Sequence, residues 1–286
     1  MLETGNVNLE QKLQDATEEK EKEQENESEV ENKEKQSDSG ERFYLAKVLG
    51  KTESGLKSEF YDYQIKGFMA KTGWFNPEIA EDLSDSDEFL KVAKSGVLEC
   101  AVTPYFFGGA KNAIKRAKSY PLKLTAVLDF PKGESSYYAR LADAKQAVKG
   151  GFNSIMLTLP SVSLFIKNPS KIKAQLNRIS RVTKSRLGII VKPDSDMDKF
   201  KKALAHLMSV KAERLVLTIS EKECSDFSSY ARTALTYAGK KKIFVLTDTE
   251  SAEKVADLIS LKVDGVYLKN PLVVCKTLQE KFSVTV

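Results

Sequence analysis

Short apolar runs alternate with amphipathic segments along most of the chain. Eight runs rich in Val, Ile and Leu predict strands at Gly67–Lys71, Val97–Thr103, Leu122–Asp129, Ser154–Leu159, Leu187–Lys192, Arg214–Ile219, Ile243–Thr247 and Gly265–Lys269. Runs of this kind are typical of parallel strands buried on both faces. Helical spacing lies between them, over Ser86–Ala93, Ala110–Ser119, Tyr138–Lys149, Ser170–Thr183, Asp196–Val210, Phe227–Ala238, Ala252–Ser260 and Val273–Phe282. Right-handed crossovers would join these units, so the pattern predicts an α/β protein with a (β/α)8 TIM barrel.

The first part of the chain has a different composition. Residues 8–41 lack aromatic side chains and almost lack branched apolar ones, so they cannot bury enough surface to offset the entropy of ordering. We therefore predict a disordered acidic tail over residues 1–41 and a single barrel domain over residues 42–286. Residues 1–40 hold 13 acidic side chains and 5 Lys, a net charge of −8. Because the whole chain carries +5, the remainder carries +13.

The amino-acid composition excludes several classes of protein. Hydrophobic residues make up 41% and charged residues 30%, which suits a soluble protein with a full core. The longest apolar runs are far shorter than the roughly 18 residues of a membrane span, and the polar first thirty residues show no secretory signal. We expect a cytoplasmic protein without membrane contact. The three cysteines have no CxxC spacing, which argues against a disulfide framework or a zinc site and places Cys100 and Cys275 in the core.

The order of several segments resembles a known family. The segments are GVLECAVTPYFFGGAKNAIKRA, then LTAVLDFPKG, then a helix ending in Lys149-Gly150-Gly151, and finally the strand NSIMLTLP. This order is similar to the deoxyribose-phosphate aldolases, class I aldolases with a TIM barrel, over about residues 66–282. Its most specific piece is Phe130-Pro131-Lys132-Gly133. The resemblance implies cleavage of 2-deoxyribose 5-phosphate through a lysine imine, with a relay acid and a phosphate loop.

The residues at the family's catalytic positions do not fit that mechanism. The imine lysine of strand six corresponds to Val216, the second lysine of strand seven to Val245, and the relay aspartate of strand four to Met156. A strand-one aspartate falls near Ala70, and Leu268-Lys269-Asn270-Pro271 replaces the phosphate loop. An alkyl side chain cannot form an imine. The sequence therefore predicts the family's barrel without its Schiff-base catalysis, with no cofactor.

Four lysines follow predicted strands and are expected at the carboxyl end of the barrel. They are Lys71, Lys132, Lys192 and Lys269, and with Asn270 they are candidates for binding an anionic or phosphorylated small molecule. Chance placement on a lysine-rich surface explains them better, because nothing in the sequence orients the amines. Lys192 is the candidate for a relocated imine lysine, because burial at the end of strand five would lower its pKa. The alternative is a solvated lysine paired with Asp194 or Asp196.

Structural roles explain the remaining charged and polar candidate residues better than functional roles do. Asp129 and Asp248 could hold a divalent metal, but loop capping explains them better, and we predict no metal site. His206, the single histidine, lies within a predicted helix and excludes a His-dependent triad. Basic side chains on two helices could bind RNA or an acidic protein, although a solvated helix face explains them better: Lys111, Lys115, Arg116, Lys118, Lys171, Lys173, Arg178, Arg181 and Lys184.

Three interpretations of function follow. The first is a degenerate aldolase-like barrel that acts as a ligand-binding or interaction protein. The second is a divergent carbon–carbon lyase that uses Lys192 on a phosphorylated sugar. The third is a module that binds RNA or an acidic protein. Homo-oligomerisation is compatible with each of them.

Overall fold

A computed structural model describes residues 65–76, 87–106, 108–109, 112, 122–184, 186–220, 227–237 and 239–283. The predicted tail, Cys224 and almost all of the helix predicted over Ala110–Ser119 lie outside these residues. No helix in the described ranges is both long enough and apolar enough to span a bilayer.

Eight parallel strands close into a barrel in chain order, with β8 paired to β1. The strands are β1 Thr72–Phe75, β2 Glu99–Val102, β3 Lys123–Leu128, β4 Ser154–Thr158, β5 Leu187–Val191, β6 Arg214–Ile219, β7 Lys242–Thr247 and β8 Gly265–Leu268. The predicted TIM barrel is confirmed, and seven of its strands overlap their predicted positions.

Helices lie between the strands, as the spacing predicts. Their bounds are α1 Asp87–Lys94, α2 Tyr137–Gly150, α3 Val162–Lys167, α4 Pro169–Val182, α5 Met197–Met208, α6 Phe227–Tyr237, α7 Ala252–Ser260 and α8 Pro271–Ser283. Asp196 caps α5 by accepting from the backbone N–H groups of Asp198 and Lys199, as a helix start at that residue requires. Helix α3 was not predicted, because six residues are too few to show a helical period.

The predicted position of strand one is wrong. Residues 65–69 form a helical turn, and β1 begins at Thr72. The Thr72 hydroxyl donates to the Met69 carbonyl at 2.8 Å, which fixes the change from helix to strand. Phe68 and Met69 are apolar because they are buried in this turn, so their hydrophobicity does not mark a strand.

Tyr267 fills the seam where the first and last strands meet. A Cβ atom on Gly73 of β1 would lie 2.6 Å from the Tyr267 ring, so this position needs a residue without a side chain. The Trp74 indole N–H donates to the Lys269 carbonyl at 3.1 Å, which ties β1 to the residue that follows β8. Ring packing and a long-range hydrogen bond therefore close the barrel together.

A polar network fills the amino-terminal end of the barrel interior. Glu99 of β2 and Arg214 of β6 form a buried ion pair, with Arg214 Nη1 2.5 Å from Glu99 Oε1. The hydroxyls of Tyr267 and Thr125 each donate to the Glu99 carboxylate at 2.6 Å. Ser154 Oγ accepts from Arg214 Nη2 and lies 2.5 Å from Thr125 Oγ1. Burial raises the pKa of Glu99, but the Arg214 charge and these hydrogen bonds outweigh it and hold the pKa below its ordinary value.

Candidate ligand-binding site

A cavity of about 560 Å³ opens at the carboxyl end of the barrel. Loops that follow β3 to β8 surround it, the location of ligand sites in barrels of this kind. Phe130, Ile190 and Leu246 contribute apolar lining, and hydroxyl and charged side chains contribute polar lining. Its volume falls within the range of small-molecule sites.

Three of the four candidate lysines line this cavity. Lys132 follows β3, Lys192 follows β5 and Lys269 follows β8, and each side chain is exposed. The carboxylates of Glu134 and Asp248 line it as well, so the ionisable side chains give a formal charge of +1. The cavity therefore presents ammonium groups from three different loops to a ligand.

The placement of Lys71 at this end of the barrel is wrong. Lys71 precedes β1, and its carbonyl accepts from the Val266 N–H near the start of β8. It therefore lies at the amino end, opposite the cavity, because the predicted first strand was several residues too early. Asn270 is exposed beside the cavity and donates to Glu250 Oε1 at 2.6 Å.

Lys192 lines the cavity, but it is not buried as we expected of a lysine that forms an imine. Its side chain is exposed, so the desolvation expected at the strand end is missing. The two carboxylates proposed as its partners have structural hydrogen bonds. Asp194 accepts from the Ser163 hydroxyl at 2.9 Å, and Asp196 caps α5. A catalytic role for Lys192 stays a prediction.

An ion pair between the residue that precedes it and helix α2 holds the Phe130-Pro131-Lys132-Gly133 loop in place. Arg140 Nε of α2 lies 2.6 Å from Asp129 Oδ2, and the Ser135 hydroxyl donates to the same carboxylate at 2.7 Å. Gly133 has a φ of +68°, and a Cβ atom there would lie 2.4 Å from the Leu159 backbone. The loop therefore packs directly against the end of β4, which places Lys132 at the cavity.

The metal alternative gains no support from this geometry. Asp129 anchors its own loop through Arg140, and Asp248 accepts from the Ser220 hydroxyl at 2.8 Å. Within the described part of the chain, no three His, Cys, Asp or Glu side chains come together in a way that could hold a metal ion.

The residues predicted from the sequence to correspond to the family's catalytic positions are buried and apolar. Val216 and Met156 belong to the cluster that fills the barrel interior, and both are 0% exposed. Val245 is buried too, but its neighbours Phe244 and Leu246 belong to the interior cluster. Because side chains alternate along a strand, Val245 faces the surrounding helices, and the residues of β7 that line the cavity are Leu246 and Thr247.

Two threonines at this site were missed by the sequence analysis. Thr158 of β4 and Thr218 of β6 line the cavity, and the buried Oγ1 of each has no hydrogen-bond partner among the described residues. Each lies two positions beyond an interior residue, Met156 or Val216, and alternation directs it inward. A hydroxyl near the end of an otherwise apolar strand was the signal. Buried polar atoms without partners are rare, so a ligand group could satisfy them.

The remaining candidates lie away from the cavity. His206 is half-buried on α5, with its ring 6.3 Å from the ring of Phe165, and it packs between helices. Cys100 and Cys275 are buried, as predicted. On and just after α4, four basic side chains are exposed: Lys171, Arg178, Arg181 and Lys184. Lys173 is half-buried, and the other predicted basic helix lies outside the described residues.

Comparison with known proteins finds similarity in structure alone. No family model matches the chain, and no curated protein matches its sequence. An aldolase named QR15 matches at 18% identity over 76% of this chain and 97% of its own, with a TM-score of 0.60. A tetrameric deoxyribose phosphate aldolase from Aeropyrum pernix matches at 14% identity over 77% and 93%, with a TM-score of 0.57. An N-acetylneuraminate lyase from Fusobacterium nucleatum, complexed with pyruvate, matches at 16% over 78% and 76%, with a TM-score of 0.51.

Proposed function

We propose that this chain, which has the barrel fold of the deoxyribose-phosphate aldolases, binds a small anionic molecule at the carboxyl end of the barrel without forming a lysine imine. One observation carries the proposal. Val216, which corresponds to the imine lysine of the family, is an apolar residue buried completely inside the barrel.

The chemistry of imine formation explains why this substitution matters. A neutral amine must attack the substrate carbonyl, and an acid or base must move protons as the carbinolamine loses water. Val216 and Met156 carry neither group, and Leu246 supplies none from β7. A shift of one residue in strand seven, from Val245 to Leu246, therefore does not restore the mechanism.

Ligand binding makes smaller demands, and the cavity meets them. Lys132, Lys192 and Lys269 attract an anion, and they can adjust because their side chains are exposed. Deeper in the cavity, the hydroxyls of Thr158 and Thr218 offer hydrogen bonds that the described residues leave unmade. A small molecule that carries both an anionic group and hydroxyl groups suits this arrangement.

The divergent lyase that uses Lys192 is the second candidate, because that residue lines the cavity. A third candidate, binding of RNA or an acidic protein, is favoured by the exposed basic side chains on and after α4.

Trapping with borohydride distinguishes binding from imine chemistry. We expect no covalent adduct by mass spectrometry when the protein is incubated with 2-deoxyribose 5-phosphate and sodium borohydride. An adduct on the wild-type protein would contradict the proposal, and its loss in Lys192→Ala would place the imine on Lys192, as the lyase alternative requires. Without borohydride, calorimetric titration should show weaker binding of the same compound by Lys192→Ala and Lys269→Ala. Lys202→Ala, which removes an exposed lysine of α5, is the matched control and should bind as the wild type does.

A further inference from the structure

A second cavity lies at the opposite end of the barrel from the candidate site. Its volume is about 290 Å³, and residues at or near the amino ends of β2 to β7 line it. The amino end of such barrels is ordinarily a structural face, because the loops that bear the chemistry follow the strands. The side chains that line this cavity are nevertheless mostly charged.

The cations of this cavity outnumber its carboxylates. Four cations line it, Lys123, Arg186, Arg214 and Lys242, with two carboxylates, Glu99 and Glu213. Both carboxylates are already paired, Glu99 with Arg214 at 2.5 Å and Glu213 with Lys242 at 3.0 Å. Lys123 and Arg186 form no ion pair with any residue that the structure describes. The cavity therefore carries two cationic side chains without a partner carboxylate.

These two cations flank a neutral donor. Lys123 begins β3, Asn153 directly precedes β4, and Arg186 directly precedes β5. Neighbouring strands are about 4.8 Å apart and the register offsets Lys123 from Arg186 by two residues, so the backbones of the three residues lie within about 12 Å of one another. The Asn153 side-chain carbonyl accepts from the Leu124 N–H at 2.8 Å, which leaves its NH₂ group as a donor.

Arg214 is the most buried of the four cations that line this cavity. Arg214 is 6% exposed, and its Nε has no hydrogen-bond partner among the described residues, although both of its terminal nitrogens are engaged. Orphaned donors of a buried guanidinium are costly.

We propose that this cavity binds a phosphate-sized oxyanion, either inorganic phosphate or the terminal phosphate of a phosphomonoester. A dianion matches the two unpaired cations in charge. Its tetrahedral oxygens can accept from the Lys123 ammonium, the Asn153 amide and the Arg186 guanidinium together, and guanidinium groups pair with phosphate in a bidentate manner. The proposal is independent of the function proposed for the carboxyl end, because the two cavities share no lining residue.

Titration with inorganic phosphate tests the proposal in a protein that lacks two of the three lysines of the other cavity. The background is the full chain with Lys192→Ala and Lys269→Ala, at pH 8 and low ionic strength, where phosphate is largely a dianion. We expect calorimetry to show saturable binding of phosphate to this background protein. Adding Lys123→Ala or Arg186→Ala should weaken that binding about tenfold or more. Lys202→Ala is the matched control and should leave it unchanged.

The outcomes separate this site from the one at the carboxyl end. Lys123 is exposed and Arg186 is half-buried, so circular dichroism should show that both variants fold. Lys123→Arg, which keeps the charge, should retain binding. If phosphate binds the background protein equally well after Lys123→Ala and after Arg186→Ala, or does not bind it, the proposal is overturned. Binding that depends on these two residues supports it, even if no anion binds at the carboxyl end.

Discussion

Glu99 and Arg214 show what one buried charge requires of its surroundings. The carboxylate receives donors from Arg214, Thr125 and Tyr267, because a charge removed from water must regain its hydration from the protein. Removing one partner leaves the other charge buried and unpaired. The same burial, together with the Glu99 charge, raises the pKa of Tyr267 well above its ordinary value, so its hydroxyl stays a donor.

We expect Glu99→Gln to lower the free energy of unfolding by about 3–5 kcal/mol in chemical denaturation at pH 7, because it leaves the Arg214 charge uncompensated. The matched control is Glu213→Gln. Its exposed ion pair with Lys242 should contribute no more than about 1 kcal/mol. Equal losses in the two variants would show that the buried pair has no special role.

The same pair predicts a dependence on pH. The pKa of Glu99 is lower in the folded protein than its ordinary value of 4.5, so the stabilisation is fully present above that value. It is lost as the pH falls through the lower, folded pKa. The wild type should therefore lose its stability advantage over Glu99→Gln below about pH 4.5, measured as urea midpoints across the acid range. A constant difference would contradict this assignment.

For single residues, the sequence can predict which side of a strand a side chain occupies, provided that the strand itself is predicted at its observed position. Strand six was predicted with its observed bounds, so alternation could assign Val216 to the interior. The ion pair was missed because Glu99 and Arg214 are 115 residues apart, and no spacing within the sequence relates them. The available signals were a charged residue within the apolar run of strand two and another at the start of strand six.

At the scale of elements, the loop between β3 and α2 depends on close backbone contact. Gly133 combines a positive φ with a position against Leu159 that leaves no room for a side chain. Arg140 of α2 donates to the Gly133 carbonyl and pairs with Asp129, so the helix holds the loop from behind. The motif that suggested the family is therefore a structural element that aims Lys132 at the cavity.

Gly133→Ala should destabilise the protein by about 2–4 kcal/mol, because it adds backbone strain and forces a Cβ atom against the β4 backbone. Gly239→Ala is the matched control, since Gly239 also has a positive φ of 56° but nothing lies within 4 Å of the added atom. It should cost about 1–2 kcal/mol from strain alone. Thermal unfolding of both variants measures the difference, and equal shifts would refute the contact argument.

The elements that the sequence misplaced were short. Strand β1 has four residues and includes Gly73, while the preceding turn holds more apolar side chains, so hydrophobicity alone favoured the wrong segment. That error moved Lys71 to the wrong end of the barrel. Helix α3 is one and a half turns long and shows no period. Longer elements, such as α5 with its Asp196 cap, were placed within a few residues.

At the scale of the whole molecule, charge is divided between two regions of the chain. Residues 1–40 carry −8 and the remainder +13, which includes the exposed basic side chains on and after α4. Convergence of the three lysines on one cavity follows from closure of the barrel, so it could be predicted once eight units were counted. The anion site proposed at the amino end could not be predicted from the sequence, because it depends on which charged side chains pair with one another in the folded protein.

Charge separation makes the RNA-binding alternative testable. If the basic surface binds polyanions, single-stranded RNA should bind with an affinity that falls steeply with salt concentration. Removal of residues 1–41 should strengthen it, because the negative charge of that segment repels a polyanion. Fluorescence anisotropy across a salt series measures both effects. An Arg178→Ala, Arg181→Ala double variant should bind RNA more weakly than the Lys202→Ala control, and affinity that ignores salt would exclude this function.

The seam between β1 and β8 has a consequence for the chain while the ribosome is still synthesising it. Trp74 bonds to the carbonyl of Lys269, 195 residues later, and Gly73 leaves its space for Tyr267. At synthesis rates of about 5–20 residues per second, the first strand leaves the ribosome about 10–40 s before its last neighbour exists. During that interval the growing sheet has an open edge of unpaired backbone groups, which invites association with other chains. The open edge of the sheet is therefore covered only after the final quarter of the protein, which contains β8, has been synthesised.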